Sequence, residues 1–89
     1  MVTEKTLKKS AIALENGLQR LAVNNKNAAN LLTQIGPYIE KAKNVSEIEK
    51  FEFERLRFDY LFIEGPFSDD SEISELYSEF ANQFEGLDI

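Results

Sequence analysis

TLKKSAIALENGLQRL, residues 6–21, decides the fold class. Apolar residues recur in it at spacings of four, three, four and three: Leu7, Ala11, Leu14, Leu18 and Leu21. These spacings place the five side chains on one face of a helix, which we expect to begin near Thr3, a suitable N-cap. Gly17 costs a helix about 1 kcal/mol relative to alanine, so either the helix bends there or another backbone passes close.

Two further segments show the same helical period. The first follows a break at Asn24 and Asn25 and carries Ala28, Leu31, Leu32, Ile35, Tyr38, Ile39 and Ala42. Gly36-Pro37 interrupts it, and because proline lacks an N–H we expect a kink or a short break there. The second carries Ile73, Leu76, Tyr77, Phe80, Ala81 and Phe84, and Gly86 is a suitable residue to terminate it.

The segment Glu47–Phe62 is compatible with two structures. Ser46 followed by Glu49 has the spacing of a capping box, which predicts a helix beginning at Glu47. The alternation of Leu56, Phe58, Tyr60 and Phe62 is instead typical of a strand. Since a lone strand would find no partner in this chain, we favour the helix and keep the strand as the alternative.

Together these segments predict an all-α protein, a small up-and-down bundle of about four helices. Its 89 residues suffice for one domain, spanning 1–89, with one modest core. No apolar h-region follows the N-terminal sequence MVTEKTLKKS, and no stretch approaches the roughly 20 apolar residues of a membrane span. We therefore expect a cytoplasmic protein that makes no membrane contact.

The charges are divided between the two halves of the chain. Residues 1–45 contain seven basic and three acidic residues, a balance of +4, and residues 46–89 contain three basic and thirteen acidic residues, a balance of -10. The sum is the net charge of -6. The evidence for nucleic-acid binding is weak, since it consists of four lysines on an acidic chain: Lys5, Lys8, Lys9 and Lys26. A nucleic-acid partner is therefore not expected.

The residue types needed for most catalytic and metal sites are missing. The chain contains no histidine and no cysteine, so the commonest catalytic base and the thiolate and imidazole ligands are absent. The stretch SDDSEISELYSE has Ile73 where a calcium loop requires glycine, and its pattern favours an acidic helix start. We therefore expect that the protein is not an enzyme and that it binds neither a metal ion nor a cofactor.

Aromatic and acidic residues are concentrated together after residue 50. Six of the ten aromatic residues lie within residues 51–67. One reading is a central helix whose rings are all covered by the other helices. In the other, Phe53, Tyr60 and Phe67 remain exposed, because one face of a helix cannot bury them all. Carboxylates would then surround the rings: Glu52, Glu54, Asp59, Glu64, Asp69 and Asp70. Further carboxylates would lie on the outer face of the last helix: Glu72, Glu75 and Glu79.

An apolar patch with an acidic rim is suited to binding a basic protein, because rings provide the desolvated centre and carboxylates steer the encounter. Nucleases and other nucleic-acid-binding proteins carry such basic surfaces. In size, acidity and lack of catalytic residues the chain resembles, as a class, immunity proteins, antitoxins and anti-defence inhibitors. The alternative is a structural or adaptor module that homodimerises through the aromatic-rich segment.

Overall fold

A computed structural model describes residues 2–87, so Asp88, one of the thirteen acidic residues counted above, lies outside the described part. The chain is all-α, as predicted. Its helices are α1 (Glu4–Ala22), α2 (Lys26–Lys43), α3 (Tyr60–Ile63) and α4 (Ser71–Phe84), with one 3₁₀ turn at Ile48–Lys50. Within residues 2–87 no helix is both long enough and apolar enough to cross a membrane.

Helix α1 begins where the sequence predicted. Thr3 caps it by accepting a hydrogen bond from the Thr6 backbone N–H (3.2 Å), while the Thr6 hydroxyl accepts one from the Thr3 N–H (2.9 Å). This reciprocal pair satisfies two amide groups that the first helical turn leaves unpaired. Four members of the predicted apolar stripe are completely buried, namely Leu7, Ala11, Leu14 and Leu18.

Helix α1 lies between α2 and α4 and packs against both. Asn25 caps α2, and α2 continues through Pro37 without ending there. Two contacts show that α4 runs antiparallel to α1. The Thr6 hydroxyl donates to Gln83 Oε1 (2.7 Å) near one end of α1, and Arg20 contacts Glu72 (3.5 Å) near the other. α1, and not the Glu47–Phe62 segment, is therefore the central helix.

Side chains of α4 lie against Gly17 of α1. A Cβ atom at this position would lie 2.6 Å from Leu76 Cδ1 and 3.2 Å from Ile73 Cδ1. The sequence left two explanations open, a bend in the helix or the close passage of another backbone. What lies close to Gly17 in the structure is instead side chains of α4.

The predicted helix over Glu47–Phe62 is wrong, and so is the strand. Ser46 forms no capping box: the 3₁₀ turn has Glu47 at its N-cap and no side-chain capping bond. Residues 51–58 are neither helix nor strand, and only Tyr60–Ile63 form one α-helical turn. A straight helix would bury only one stripe of its surface. The irregular path instead buries Leu56 fully and also packs several rings of this segment against the core.

Helix α4 has well-defined ends. Asp70 Oδ1 accepts a hydrogen bond from the Ile73 N–H (3.1 Å), which caps the first turn. At the other end Gly86 adopts a φ of 73°, the Leu87 N–H donates to the Asn82 carbonyl (2.9 Å) and the Gly86 N–H to the Gln83 carbonyl (3.2 Å). These two bonds form a Schellman motif, which confirms the terminating role predicted for Gly86.

Candidate protein-binding groove

We call residues 44–70, which join α2 to α4, the connector. From Glu54 onward the connector lies along α4. The Glu54 N–H donates to the Phe84 carbonyl (3.4 Å), and the Leu56 N–H donates to Glu85 Oε2 (2.8 Å). Further along, the Ser74 hydroxyl donates to the Phe67 carbonyl (3.3 Å). The connector therefore runs from the C-terminal end of α4 towards its N-terminal end.

A stack of three rings fixes the middle of the connector to α4. Phe62 lies between Phe67, at 5.2 Å between ring centroids, and Tyr77, at 4.2 Å. The rings are nearly parallel, with interplanar angles of 24° and 11°. Phe67 is only 1% exposed, so its predicted exposure is wrong. The ring enters the core because Gly65-Pro66 ends α3 and turns the chain back towards α4.

A groove between the connector and α4 collects three of the six exposed large apolar side chains of residues 2–87. Phe53 is 43% exposed, Ile63 71% and Leu87 63%, and all three line it. We call it the connector groove. Its complete lining is Phe53, Glu54, Arg55, Asp59, Phe62, Ile63, Tyr77, Ser78, Ala81, Asn82, Glu85 and Leu87.

Tyr60 extends this apolar surface beyond the groove. It is 61% exposed and lines a second depression, formed with Arg55, Leu56, Arg57 and Asp59. Because Arg55 and Asp59 also line the connector groove, the two depressions adjoin. The two rings that the sequence predicted to be exposed and that remain exposed, Phe53 and Tyr60, thus belong to one continuous region.

Three carboxylates line the connector groove, and each has one oxygen held by the protein itself. Asp59 Oδ1 accepts from the Tyr77 hydroxyl (2.7 Å), and Glu85 Oε2 accepts from the Leu56 N–H (2.8 Å). Glu54 Oε2 accepts from Lys41 Nζ (2.9 Å). Within residues 2–87 no hydrogen bond engages the remaining oxygen of any of the three. The groove therefore presents oriented acceptors.

Lys41 ties the start of the groove to α2. Besides its contact with Glu54, its ammonium group donates to the Glu52 carbonyl (3.0 Å). It also lies 5.1 Å from the centroid of the Phe51 ring and 5.5 Å from that of Phe84, within the range of a cation–π interaction. This half-buried lysine is thus part of the framework of the groove and not one of its free charges.

We expect Tyr77→Phe to lower the free energy of unfolding by about 1 kcal/mol near neutral pH, because it removes the hydrogen bond to Asp59. Burial, reinforced by that hydrogen bond, raises the pKa of the Tyr77 hydroxyl far above its ordinary value of 10.0. The unfolded chain therefore ionises first, and this contribution to stability is present below pH 10 and declines above it.

Urea titrations between pH 7 and 11 check both effects of Tyr77→Phe. The variant should lose stability less steeply above pH 10 than the unmodified protein. Tyr60→Phe removes an exposed hydroxyl and serves as the control, with no change in either quantity. An identical alkaline decline in the unmodified protein and Tyr77→Phe would contradict the prediction.

The other predicted site residues are distributed over the molecule. Glu72, Glu75 and Glu79 line a different groove, between α1 and α4, where Glu72 contacts Arg20. Asp70 is the cap of α4. The remaining three are exposed and line neither groove: Glu52, Glu64 and Asp69. Of the twelve predicted residues, the structure therefore brings Phe53, Glu54 and Asp59 into the connector groove and Tyr60 beside it.

The sequence prediction missed nine of the twelve residues that line the groove, and three of the nine supply two of its exposed apolar side chains and one of its carboxylates. Ile63 and Leu87 are exposed apolar residues that belong to no periodic stripe, which is a signal that could have identified them. Glu85 was counted only as acidic, and nothing in the sequence indicates that it reaches the Leu56 amide.

The lysines considered for nucleic-acid binding do not gather at one place. Lys5, Lys8 and Lys9 lie on the first turns of α1, whereas Lys26 opens α2, beyond the opposite end of α1. None of the four forms an ion pair with any residue of the described range.

Across residues 2–87, no group of three or more carboxylates is arranged to hold a metal ion. No family model, curated protein or solved structure matches this chain. The geometry of the connector groove is therefore the basis for a functional conclusion.

Proposed function

We propose that the chain is a small acidic cytoplasmic protein that binds a basic protein and thereby neutralises or regulates it. The connector groove is the binding surface. The corresponding class comprises immunity proteins, antitoxins and anti-defence inhibitors, and a nuclease is the kind of partner whose basic surface suits this role. The protein acts by association and not by catalysis, in keeping with a sequence that lacks histidine and cysteine.

The observation that carries the proposal is the meeting of exposed apolar side chains and oriented carboxylates in one groove. Phe53, Ile63 and Leu87 each expose more than two fifths of their surface there. Such side chains act as anchors at protein interfaces when a partner removes them from water. Scattered exposed apolar residues are ordinary on a protein surface, whereas a group of them around one groove favours binding.

The charge of the region selects a basic partner. Three carboxylates and one guanidinium line the groove, so negative charge is in excess there. An excess of negative charge raises the rate of encounter with a cationic surface and disfavours acidic partners. Because these carboxylates are exposed or half-buried, added salt should weaken the association.

A matched pair of variants tests the proposal. Ile63→Ser removes an exposed side chain of the groove, and Val23→Ser removes an exposed side chain from the groove between α1 and α4. With the protein immobilised in lysate of its native cell, we expect a basic protein to be retained and to be released as salt rises from 0.05 to about 0.5 M. Ile63→Ser should reduce its affinity about tenfold or more, and Val23→Ser should leave it unchanged.

Two results would refute the proposal. One is retention that is indifferent to salt and equally affected by both variants. The other is a stable homodimer, seen by sedimentation at micromolar concentration, that Ile63→Ser dissociates and Val23→Ser does not. That outcome would instead support the homodimerising adaptor as the function of the same surface.

A further inference from the structure

We infer that the connector groove recognises arginine in preference to lysine, through an arginine flanked by apolar residues on the partner. This inference rests on the proposed function and specifies the residue that the basic partner inserts. It follows from three features of the groove: the orientation of its carboxylates, the exposed ring of Phe53 and the exposed apolar residues Ile63 and Leu87.

The carboxylates are oriented before any partner arrives. The hydrogen bond from Tyr77 fixes Asp59, and the bond from the Leu56 amide fixes Glu85. Each carboxylate keeps its second oxygen for a donor from outside, and little side-chain entropy is lost on binding because both are already ordered. A planar guanidinium has five N–H donors and can bond two such acceptors at once, whereas an ammonium group is a compact point charge.

The Phe53 ring further favours the binding of arginine over that of lysine. Gly86 lies directly against its ring, since a Cβ at position 86 would be 3.0 Å from Phe53 Cγ. With 43% of the residue still exposed, part of the ring remains open to the groove. A guanidinium stacks on an aromatic face and is more weakly hydrated than an ammonium, so it gains more from such a ring.

The apolar lining defines what flanks the arginine. Ile63 and Leu87 are the most exposed large side chains of the groove, and each offers surface to an aliphatic neighbour of the bound residue. A short segment in which leucine precedes and follows the cation supplies such aliphatic neighbours.

The protein carries one guanidinium of its own at the groove. Arg55 is exposed and forms no ion pair with any residue in the range 2–87. Its positive charge nevertheless reduces the attraction that an incoming cation experiences. Arg55→Gln should therefore tighten the binding of a cationic peptide, whereas Lys50→Gln, on the 3₁₀ turn and outside the groove, should not.

Three N-acetylated, C-amidated tripeptides test the inference: Leu-Arg-Leu, Leu-Lys-Leu and Leu-citrulline-Leu. Their binding to the intact protein is followed by the amide chemical shifts of the groove residues in two-dimensional NMR at low salt. We expect the arginine peptide to bind about two- to fivefold more tightly than the lysine peptide, the range that one exposed cation–π contact provides. The uncharged citrulline peptide should bind more weakly than both.

Two variants separate the contributions of the ring and the charge. Phe53→Leu keeps an apolar side chain but removes the ring, so it should reduce the preference for arginine and weaken the lysine peptide less than the arginine peptide. Asp59→Asn retains an acceptor for the Tyr77 hydroxyl but removes the charge, so it should weaken both cationic peptides. Thermal unfolding of each variant verifies that the fold is intact.

The outcomes distinguish this inference from the proposed function. Equal binding of the arginine and lysine peptides, both tighter than citrulline, would overturn the arginine preference and leave the basic partner in place. Binding that does not depend on charge, or shifts that lie outside the connector groove, would overturn both. An arginine preference that Phe53→Leu does not alter would also refute the inference, because the ring would then have no part in it.

Discussion

Replacing Phe67 with alanine is expected to lower the free energy of unfolding by about 3–5 kcal/mol, the usual range for removing a fully buried ring. The ring is 1% exposed and stacks on Phe62 at 5.2 Å, so its loss leaves a cavity beneath the connector. Small domains are stable by only about 5–15 kcal/mol, and the substitution therefore removes a large part of the total. Urea-induced unfolding followed by circular dichroism measures the change.

Phe53→Ala provides the control for Phe67→Ala. The two phenylalanines belong to the same connector, but Phe53 is 43% exposed, and its truncation should reduce stability by only about 1 kcal/mol. A loss at Phe67 as small as that at Phe53 would contradict the burial of the Phe67 ring. It would also restore Phe67 to the exposed surface that the sequence alone predicted.

Phe84→Ala should produce a loss of similar size, about 3–5 kcal/mol, for a different reason. The Phe84 ring is the meeting point of three parts of the chain: it contacts Tyr38 of α2 at 5.7 Å, Phe51 of the connector at 5.5 Å and Phe80 of α4 at 5.3 Å. Lys41 also lies 5.5 Å from its centroid. Removing the ring therefore takes away contacts that join the connector to both α2 and α4.

Phe84→Leu separates the loss of the ring contacts of Phe84 from the loss of buried side-chain volume. Leucine refills most of the space, so we expect a loss of less than about 1.5 kcal/mol. Hydrogen exchange adds a local readout: in Phe84→Ala the amide of Glu54, which donates to the Phe84 carbonyl, should lose more protection than the amides in the middle of α1. Equal losses of stability in the two variants would contradict this expectation, because the ring contacts and not the buried volume would then account for the loss.

The sequence predicted the three long helices because each is a regular amphipathic stripe with a recognisable beginning or end. Thr3 and Gly86 are examples whose roles depend only on neighbouring residues and on the backbone geometry that each residue type allows. Such features require no knowledge of the rest of the molecule. The fold class followed from them directly.

The connector could not be predicted in the same way because its path depends on contacts distant in the sequence. Leu56 is placed by Glu85, 29 residues away, and Asp59 by Tyr77, 18 residues away. The capping spacing of Ser46 and Glu49 favoured a helix locally, yet burial of the rings against α4 outweighed it. For the same reason the site was only partly predicted: Phe53, Glu54 and Asp59 converge, while Phe67 is buried.

The irregular course of residues 51–58 has a consequence for how this protein can change over generations. Specific positions tie it to the rest of the fold: Leu56 is buried, the Phe51 ring contacts Phe84, and Glu52 and Glu54 bond to Lys41. Exposed neighbours such as Phe53, Arg55 and Arg57 can be exchanged without disturbing α1, α2 or α4. The surface that these positions form can therefore vary in sequence while the three long helices keep their packing.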